Sequence, residues 1–389
     1  MKRKLFNTLA ATALFAGVLA GCGTDGGSGA SGDTIKIGAN LELSGNVASY
    51  GTSIYDGVKL AIKEINANGG VNGKKLEPIA VDNKSEASEA TNGALKLTDQ
   101  DNVLAIIGAA TSGNTVAQVE VANNAETILI SPSGTALNVT VNDKGELNPY
   151  AFRTTFIDPF QGTVAANFAI NELGIKKAAV YQDNASDYAK GLADAFIETF
   201  EAAGGEIVAD EAYVAKDTDF RSTLTRLKSA SPEFIFIPGY YEEVGLIVKQ
   251  AREMGIDVPL MGGDGWDSPT LVELAGAEAL NNTFTTNAYS ANDPDEKIQQ
   301  FVKAFEKEYD KSPDGFNALG YDTVYLLADA IERAGEADAE KVRDALEQTK
   351  DFKLVTGTVT IDENHNPVKS ATILEYKDGK QEFNSKVNP

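Results

Sequence analysis

A chain of 389 residues with 42% hydrophobic content is long enough to bury the cores of two domains of ordinary size. Its formal charge of −23 excludes binding nucleic acid through the phosphates, which requires a basic surface. A single cysteine and a single histidine exclude an internal disulfide and a His/Cys zinc site, and leave His365 as the one base a serine nucleophile could use.

The chain opens with Lys2, Arg3 and Lys4, an apolar run over 5–19, and then Leu19-Ala20-Gly21-Cys22. This is the pattern of an export signal, since the run is short for a spanning helix and is interrupted by Asn7 and Thr8. Residues 1–21 are therefore read as a signal peptide. Cys22 stands in a sequence resembling the lipobox of bacterial lipoproteins and is read as the lipidated first residue of the mature chain. Residues 22–33 then form a lipid-anchored flexible tether. Eleven residues of such composition (GTDGGSGASGD) span roughly 20 Å root-mean-square, and the acyl chains supply the membrane affinity.

From residue 34 strand and helix patterns alternate. Residues 35–41 (IKIGANL) read as a strand, followed by a turn at Ser44 and Gly45 and a helix whose apolar face carries Val58, Leu60, Ala61, Ile62 and Ile65. Asn68, Gly69 and Gly70 end it. Residues 76–81 read as the next strand and 85–98 as the next helix. Segments 103–107 and 127–130 read as buried parallel strands joined by a crossover helix over 116–125.

A second run of the same kind comes next. Strands at 150–156, 177–181, 206–208, 234–237 and 259–261 alternate with a helix from Pro159 and helices over 188–203, 219–229 and 242–254. The alternation predicts a second parallel sheet with helices on both faces. After a strand at 283–286 come helices over 295–309, 316–334 and 339–349. Strands at 357–361 and 371–376 close the chain around a polar turn, 362–367, in which His365 is expected to be solvated. The fold class is thus α/β, with two similar doubly wound parallel-sheet lobes facing each other across a cleft.

Open α/β sheets place ligands at the carboxyl ends of their strands. In the stretch 106–135 two strands end in small hydroxyl residues and Gly: Gly108, Ser112 and Gly113 after the first, Ser133, Gly134 and Thr135 after the second. Both turns let backbone N–H groups at a helix N-terminus approach an anion. Residues 108–115 match the spacing of a phosphate-binding P-loop except that Asn114 stands where the Lys must be, so a carboxylate suits the place better than a triphosphate. In the second run the strand ends carry YQDNASDY (181–188), Gly239-Tyr240-Tyr241 and Gly262-Gly263-Asp264-Gly265-Trp266. Hydroxyl and amide donors opposed by an acid and several tyrosines describe a site for a zwitterion with an apolar side chain.

These residues carry a resemblance. SGNVASYG (44–51), EINANGGVNGKKL (64–76), IIGAATSG (106–113), ISPSGT (130–135), FRTTFIDPFQG (152–162), PGYYEEVGLIVKQAREMGI (238–256) and GGDGW (262–266) together are similar to the leucine/isoleucine/valine substrate-binding proteins of ABC transporters, across about 35–379. The resemblance implies a type I periplasmic-binding-protein fold with a three-crossing hinge, a first lobe of 34–156 and 288–370, and a second of 157–287 and 371–389. It implies that the ligand carboxylate meets Ser112 and Thr135 with backbone amides. The ammonium group would meet the Ser133 carbonyl, the Thr135 hydroxyl and Asp264, and Tyr50, Tyr188, Tyr240 and Tyr321 would line the pocket or close over it. The acid is Asp where better-known members have Glu, and Trp266 either narrows the pocket or covers the strand end.

The function expected of such a chain is not that of an enzyme but of an exported lipoprotein on the outer face of the cytoplasmic membrane, the periplasmic side where the cell has an outer membrane. It would be a monomer that captures a branched-chain L-amino acid by hinge closure and delivers it to the permease subunits of an ABC transporter. No cofactor or metal is implied, no nucleic acid, and no membrane contact beyond the lipid anchor. The alternative is a receptor ectodomain of the same fold that binds another small amino acid, amide or carboxylate and signals through a separate chain. A hydrolase of small amides would need more than the lone His365.

Overall fold

The computed structural model describes residues 34–388, and the signal sequence, Cys22 and the tether read from the sequence lie outside them. Strand and helix alternate from the start: β1 (Thr34–Leu41), α1 (Ala48–Ala67), β2 (Lys75–Asp82), α2 (Ala87–Asp99), β3 (Ala105–Gly108), α3 (Ser112–Asn124), β4 (Ile128–Ser131) and β5 (Ala151–Arg153). These five strands form one parallel sheet in the order β2-β1-β3-β4-β5. Every residue of β3 and β4 is buried, as apolar strands covered by helices on both faces must be.

The chain then passes to α4 (Asp158–Asn167), β6 (Lys177–Asp183), α5 (Asp187–Ala202), β7 (Glu206–Tyr213), α6 (Arg221–Ala230), β8 (Phe234–Phe236), α7 (Tyr241–Glu253), β9 (Leu260–Gly262), α8 (Pro269–Ala275) and β10 (Thr283–Asn287). It returns for α9 (Glu296–Tyr309), α10 (Gly315–Ala334), α11 (Ala339–Glu347) and the strands β11 (Phe352–Leu354), β12 (Gly357–Ile361) and β13 (Pro367–Val368), which make a small antiparallel sheet. It finishes on the second sheet with β14 (Ala371–Lys377) and β15 (Lys380–Val387), giving the order β15-β14-β10-β9-β8-β6-β7. Three segments therefore cross between the halves: after β5, after β10 and after β13.

The second sheet is mixed rather than parallel throughout, because β14 runs antiparallel to β10 and β15 antiparallel to β14. The hairpin turns on Asp378 and Gly379, with φ of 49° and 76°, the two left-handed residues of a tight two-residue loop. α3 begins at Ser112, four residues before the apolar pattern predicts, since its first turn is polar. α1 and α10 pack backbone to backbone. A Cβ on Gly57 would lie 2.0 Å from the Asn317 carbonyl oxygen and one on Gly320 2.3 Å from that of Ile54. His365 is buried, against the expectation of a solvated turn: its ring stacks on Phe152 at 4.0 Å and its Nδ1 lies 2.9 Å from the Ala151 carbonyl oxygen.

The halves meet through polar contacts from α1 and α10 on one side and the loops after β8 and β9 on the other. The Tyr50 hydroxyl donates to the Gly265 carbonyl, the Ser49 and Ser268 hydroxyls are 2.7 Å apart, and the Tyr241 hydroxyl donates to the Asn46 carbonyl at 2.9 Å. The Gly315 N–H donates to Asp267 Oδ2 at 2.7 Å, next to Asp314, which caps α10 by accepting from Asn317 N–H at 2.8 Å. Burial, with the Asp267 charge adding to it, pushes the Asp314 carboxyl up to about 7.

A carboxyl raised in the folded state binds a proton that the unfolded chain has already released, so Asp314 adds stability as pH falls through 7 and that contribution is lost as pH rises through it. The slope approaches about 1.4 kcal/mol per pH unit for one group. Thermal unfolding of the ligand-free protein should therefore shift upward from pH 8 to pH 6, and Asp314→Asn, which keeps the size and the cap acceptor, should flatten that slope. An unaltered slope in the variant assigns the effect elsewhere.

Candidate functional site

Between the carboxyl ends of the two sheets lies a cavity of about 10 Å³, lined by Tyr50, Ala110, Ser112, Ser133, Tyr188, Tyr240, Asp264, Gly265 and Phe316. That is room for about one water molecule, so the walls stand almost in contact.

On the side of the first sheet two strand-end turns are tied together. Ser112, the first residue of α3, accepts from the Thr135 and Ala136 N–H groups at 3.1 Å each. A hydroxyl has two acceptor positions and one proton; both positions are taken, which leaves the proton for the cavity that Ser112 lines. Behind the second turn the fully buried Arg153 donates to the Gly134 carbonyl at 2.7 Å and the Ala136 carbonyl at 2.8 Å. The Gly134 N–H is itself held by Ser131 Oγ at 2.8 Å, so Gly134 is engaged within the turn on both sides. Ser133 donates its hydroxyl to the Ala110 carbonyl at 2.7 Å, bracing one cavity wall against the other.

Gly108 does not form an anion cradle. Its φ of 144° and its closeness to the Asn40 carbonyl, 2.1 Å from a built Cβ, fix it as a strand-packing glycine. Nor are the first amides of the turn open: the Ala110 and Thr111 N–H groups donate to the buried Glu42 carboxylate at 2.8 and 3.1 Å, and Asn114 Nδ2 joins them at 2.8 Å. The residue that occupies the P-loop lysine position thus serves an internal acid.

On the side of the second sheet Asp264 is buried rather than solvated. Gln161 holds it at both ends, accepting from its N–H at 2.6 Å and donating to Oδ1 at 3.1 Å. Burial pushes its carboxyl up to about 6, against the hydrogen bonds from Gln161 and Tyr188. Asp158 at the start of α4 is 1% exposed, and neither of its carboxylate oxygens nor the Thr135 hydroxyl has a hydrogen-bond partner. Burial drives the Asp158 carboxyl well above the usual range; the nearby Thr135 hydroxyl and Arg153 oppose this and Asp264 adds to it. A buried acid lining the cavity, with a second buried acid short of partners near it, is what a bound cationic group would satisfy.

The remaining walls are aromatic. Tyr50 stacks on Phe316 at 4.3 Å and Tyr188 on Tyr240 at 5.0 Å, with Tyr50 edge-on to Tyr240 at 5.8 Å. The Tyr50 and Tyr188 hydroxyls are tied to the Gly265 carbonyl and N–H, so these residues present ring surface rather than hydroxyl.

The structure thus gathers Tyr50, Ser112, Ser133, Tyr188, Tyr240 and Asp264 around one cavity, with Gly134 and Thr135 in the turn behind it. Tyr321 is not brought there: its hydroxyl donates to Glu64 at 2.6 Å, and Phe316 faces the cavity instead. Five positions separate the two on α10, which puts them on different faces. Trp266 is fully buried, donates to the Ile237 carbonyl at 3.0 Å and lies outside the lining, so it covers the strand end. Sequence reasoning missed Glu42, Asp158, Gln161 and Phe316. The signal for Asp158 and Gln161 was present in DPFQG, an acid and an amide in the first turn of a helix at a strand's carboxyl end.

The chain matches the family model described as "Periplasmic binding protein" over residues 34–381. The leucine-, isoleucine-, valine-, threonine- and alanine-binding protein of Pseudomonas aeruginosa is 33% identical over 85% of this chain and 86% of its own length. LivJ, the branched-chain amino acid transporter substrate-binding protein of Streptococcus pneumoniae solved in complex with isoleucine, is 44% identical, with 92% of this chain and 100% of that one covered and a TM-score of 0.86. The leucine-binding protein LivK of Thermotoga maritima is 34% identical, with 91% and 99% covered and a TM-score of 0.86. A family match over nearly all the described residues, on a fold of two α/β halves, means that the chain belongs to the periplasmic binding protein family, a family of solute-binding proteins rather than enzymes.

Proposed function

We propose that this protein captures a branched-chain L-amino acid outside the cytoplasm and delivers it to the permease of an ABC transporter. The observation that carries the reading is the opposition, across one aromatic-walled cavity, of the Ser112 hydroxyl to the buried acid Asp264. A zwitterion with an apolar side chain meets these demands. Its carboxylate would take the Ser112 proton and the Thr135 hydroxyl, and its ammonium Asp264 and the Ser133 carbonyl. Its side chain would lie among Tyr50, Tyr188, Tyr240 and Phe316. The amino acids for which the relatives are named, and the isoleucine bound to LivJ of Streptococcus pneumoniae, support the same class.

The lobes would be 34–156 with 288–370, and 157–287 with 371–389, closing about the three crossings by a hinge motion that joins the polar contacts between them. A monomer suffices, since one chain supplies both walls. Cys22 would carry the acyl chains that hold the protein at the membrane, with residues 23–33 as its tether.

Thermal shift with leucine, isoleucine and valine tests the ligand. At 100 times its dissociation constant a ligand adds about 2.7 kcal/mol of stability, and no shift with any aliphatic amino acid defeats the reading. By calorimetry, Ser112→Ala should weaken leucine by about 1.5–3 kcal/mol, as for a hydrogen bond to a charged group. Asp264→Ala should lose roughly 2–5 kcal/mol, the cost of truncating one partner of a buried charge pair; binding within threefold of the parent, under about 1 kcal/mol, removes Asp264 from its role. Cys22→Ala should release the protein from membranes with its ligand affinity unchanged, and a variant that stays bound after a salt wash refutes the anchor.

A further inference from the structure

At the N-terminus of α3 the place that an incoming anion would take is filled by the chain itself. Glu42, directly after β1, is fully buried and accepts four hydrogen bonds. Its Oε2 takes the Ala110 N–H at 2.8 Å, and its Oε1 takes the Thr111 N–H at 3.1 Å, the Thr111 hydroxyl at 2.9 Å and Asn114 Nδ2 at 2.8 Å. Four donors turned on two oxygens match an ionised carboxylate, which only accepts. Among the described residues no Lys, Arg or His stands within ion-pair distance of it; its partners are amides, a hydroxyl and the positive end of α3.

The charge lies immediately behind the ligand wall, for Ala110 and Ser112 both line the cavity. On the other walls of that cavity stand Tyr240 and Asp264. A ligand in the cavity thus has Asp264 in one wall and the Glu42 charge behind another, while the buried guanidinium of Arg153 is spent on the Gly134 and Ala136 carbonyls behind the turn.

We propose that Glu42 determines specificity: by plugging the N-terminus of α3 it fixes the wall that presents Ser112, and its charge makes the cavity reject ligands that carry a carboxylate without an ammonium group. This rests on the zwitterion reading of the site. A zwitterion brings its own positive charge to face Asp264 and Glu42, whereas a simple carboxylate of the same shape meets those two charges with none of its own to offset them. The helix end that would otherwise attract any anion is neutralised from within.

The test compares leucine with 4-methylpentanoate, which has the same side chain and no ammonium, by calorimetric titration and competition. The parent should bind leucine and take 4-methylpentanoate far more weakly. Glu42→Gln should lower that preference at least tenfold, about 1.4 kcal/mol. Thr111→Val removes one bond to Glu42 but not its charge, so it should weaken both ligands alike and leave the preference within about twofold. Glu42→Gln combined with Asn114→Asp moves the carboxylate across one hydrogen bond and should restore the parental preference. If Glu42→Gln does not fold, the combined variant decides, and admission of 4-methylpentanoate by it overturns the proposal. A preference unchanged in folded Glu42→Gln makes Glu42 structural only and leaves the ligand reading standing. A parent that binds neither compound overturns both.

Discussion

The oxygen of Ser112 joins two strand ends of the first sheet, accepting one amide from each of Thr135 and Ala136. Without that junction the turn after β3 and the turn after β4 would be separate loops, each with its own freedom. With it they form one rigid edge, stiffened from behind by Arg153 and from the side by the bond from Ser133 to Ala110. Such support matters because a binding group must be held in place by its neighbours before the ligand arrives, or ordering it weakens binding. Part of that edge is stabilised by Glu42, which holds the amides before Ser112.

Asp158, next to that edge, has the reverse character. Burying an acid without full hydrogen bonding costs several kcal/mol, yet both carboxylate oxygens of Asp158 are unpartnered. That arrangement does not benefit the fold alone. Among the described residues, Asp158 holds the only buried carboxylate oxygens without a partner, while the centres of both sheets are packed with Ile, Leu, Val and Phe. A buried acid left so marks where a missing partner belongs.

Most of the architecture was legible because its strands are apolar and its helices amphipathic. β3 and β4 read as buried strands since every side chain in them is apolar, small or hydroxylic, and α1 reads as a helix from Val58, Ala61, Ile62 and Ile65. β15 is invisible for the opposite reason: most of its residues are exposed, so KQEFNSKV carries no burial pattern, and only the Asp-Gly turn announces it. The site was legible where residues lie at strand ends in the chain, as Ser112, Ser133 and Asp264 do. It was not legible where partners come from far along the sequence. Glu42 reaches Thr111 across 69 positions and Gln161 reaches Asp264 across 103, and no local pattern encodes such a meeting. His365 escapes a sequence reading because a polar turn need not be a solvated one: Phe152, remote in the chain, supplies a flat apolar surface on which the ring stacks.

The order of strands bears on how the molecule assembles. β10 lies at 283–287 and its sheet partner β14 at 371–377, with three helices and a small sheet of the other half between them. α1 likewise waits for α10, more than two hundred residues later, to cover it backbone to backbone. Pairings so distant in sequence are slow to form because a long loop must close before they repay its entropy. The chain thus finishes neither half first. A protein threaded through a membrane pore from its N-terminus would emerge with β1 to β5 able to pair, but with α1 uncovered and one edge of the second sheet open until nearly the last residues had crossed. Such an interleaved design leaves both halves incomplete until nearly the whole chain is present, and makes them mature as a single cooperative event.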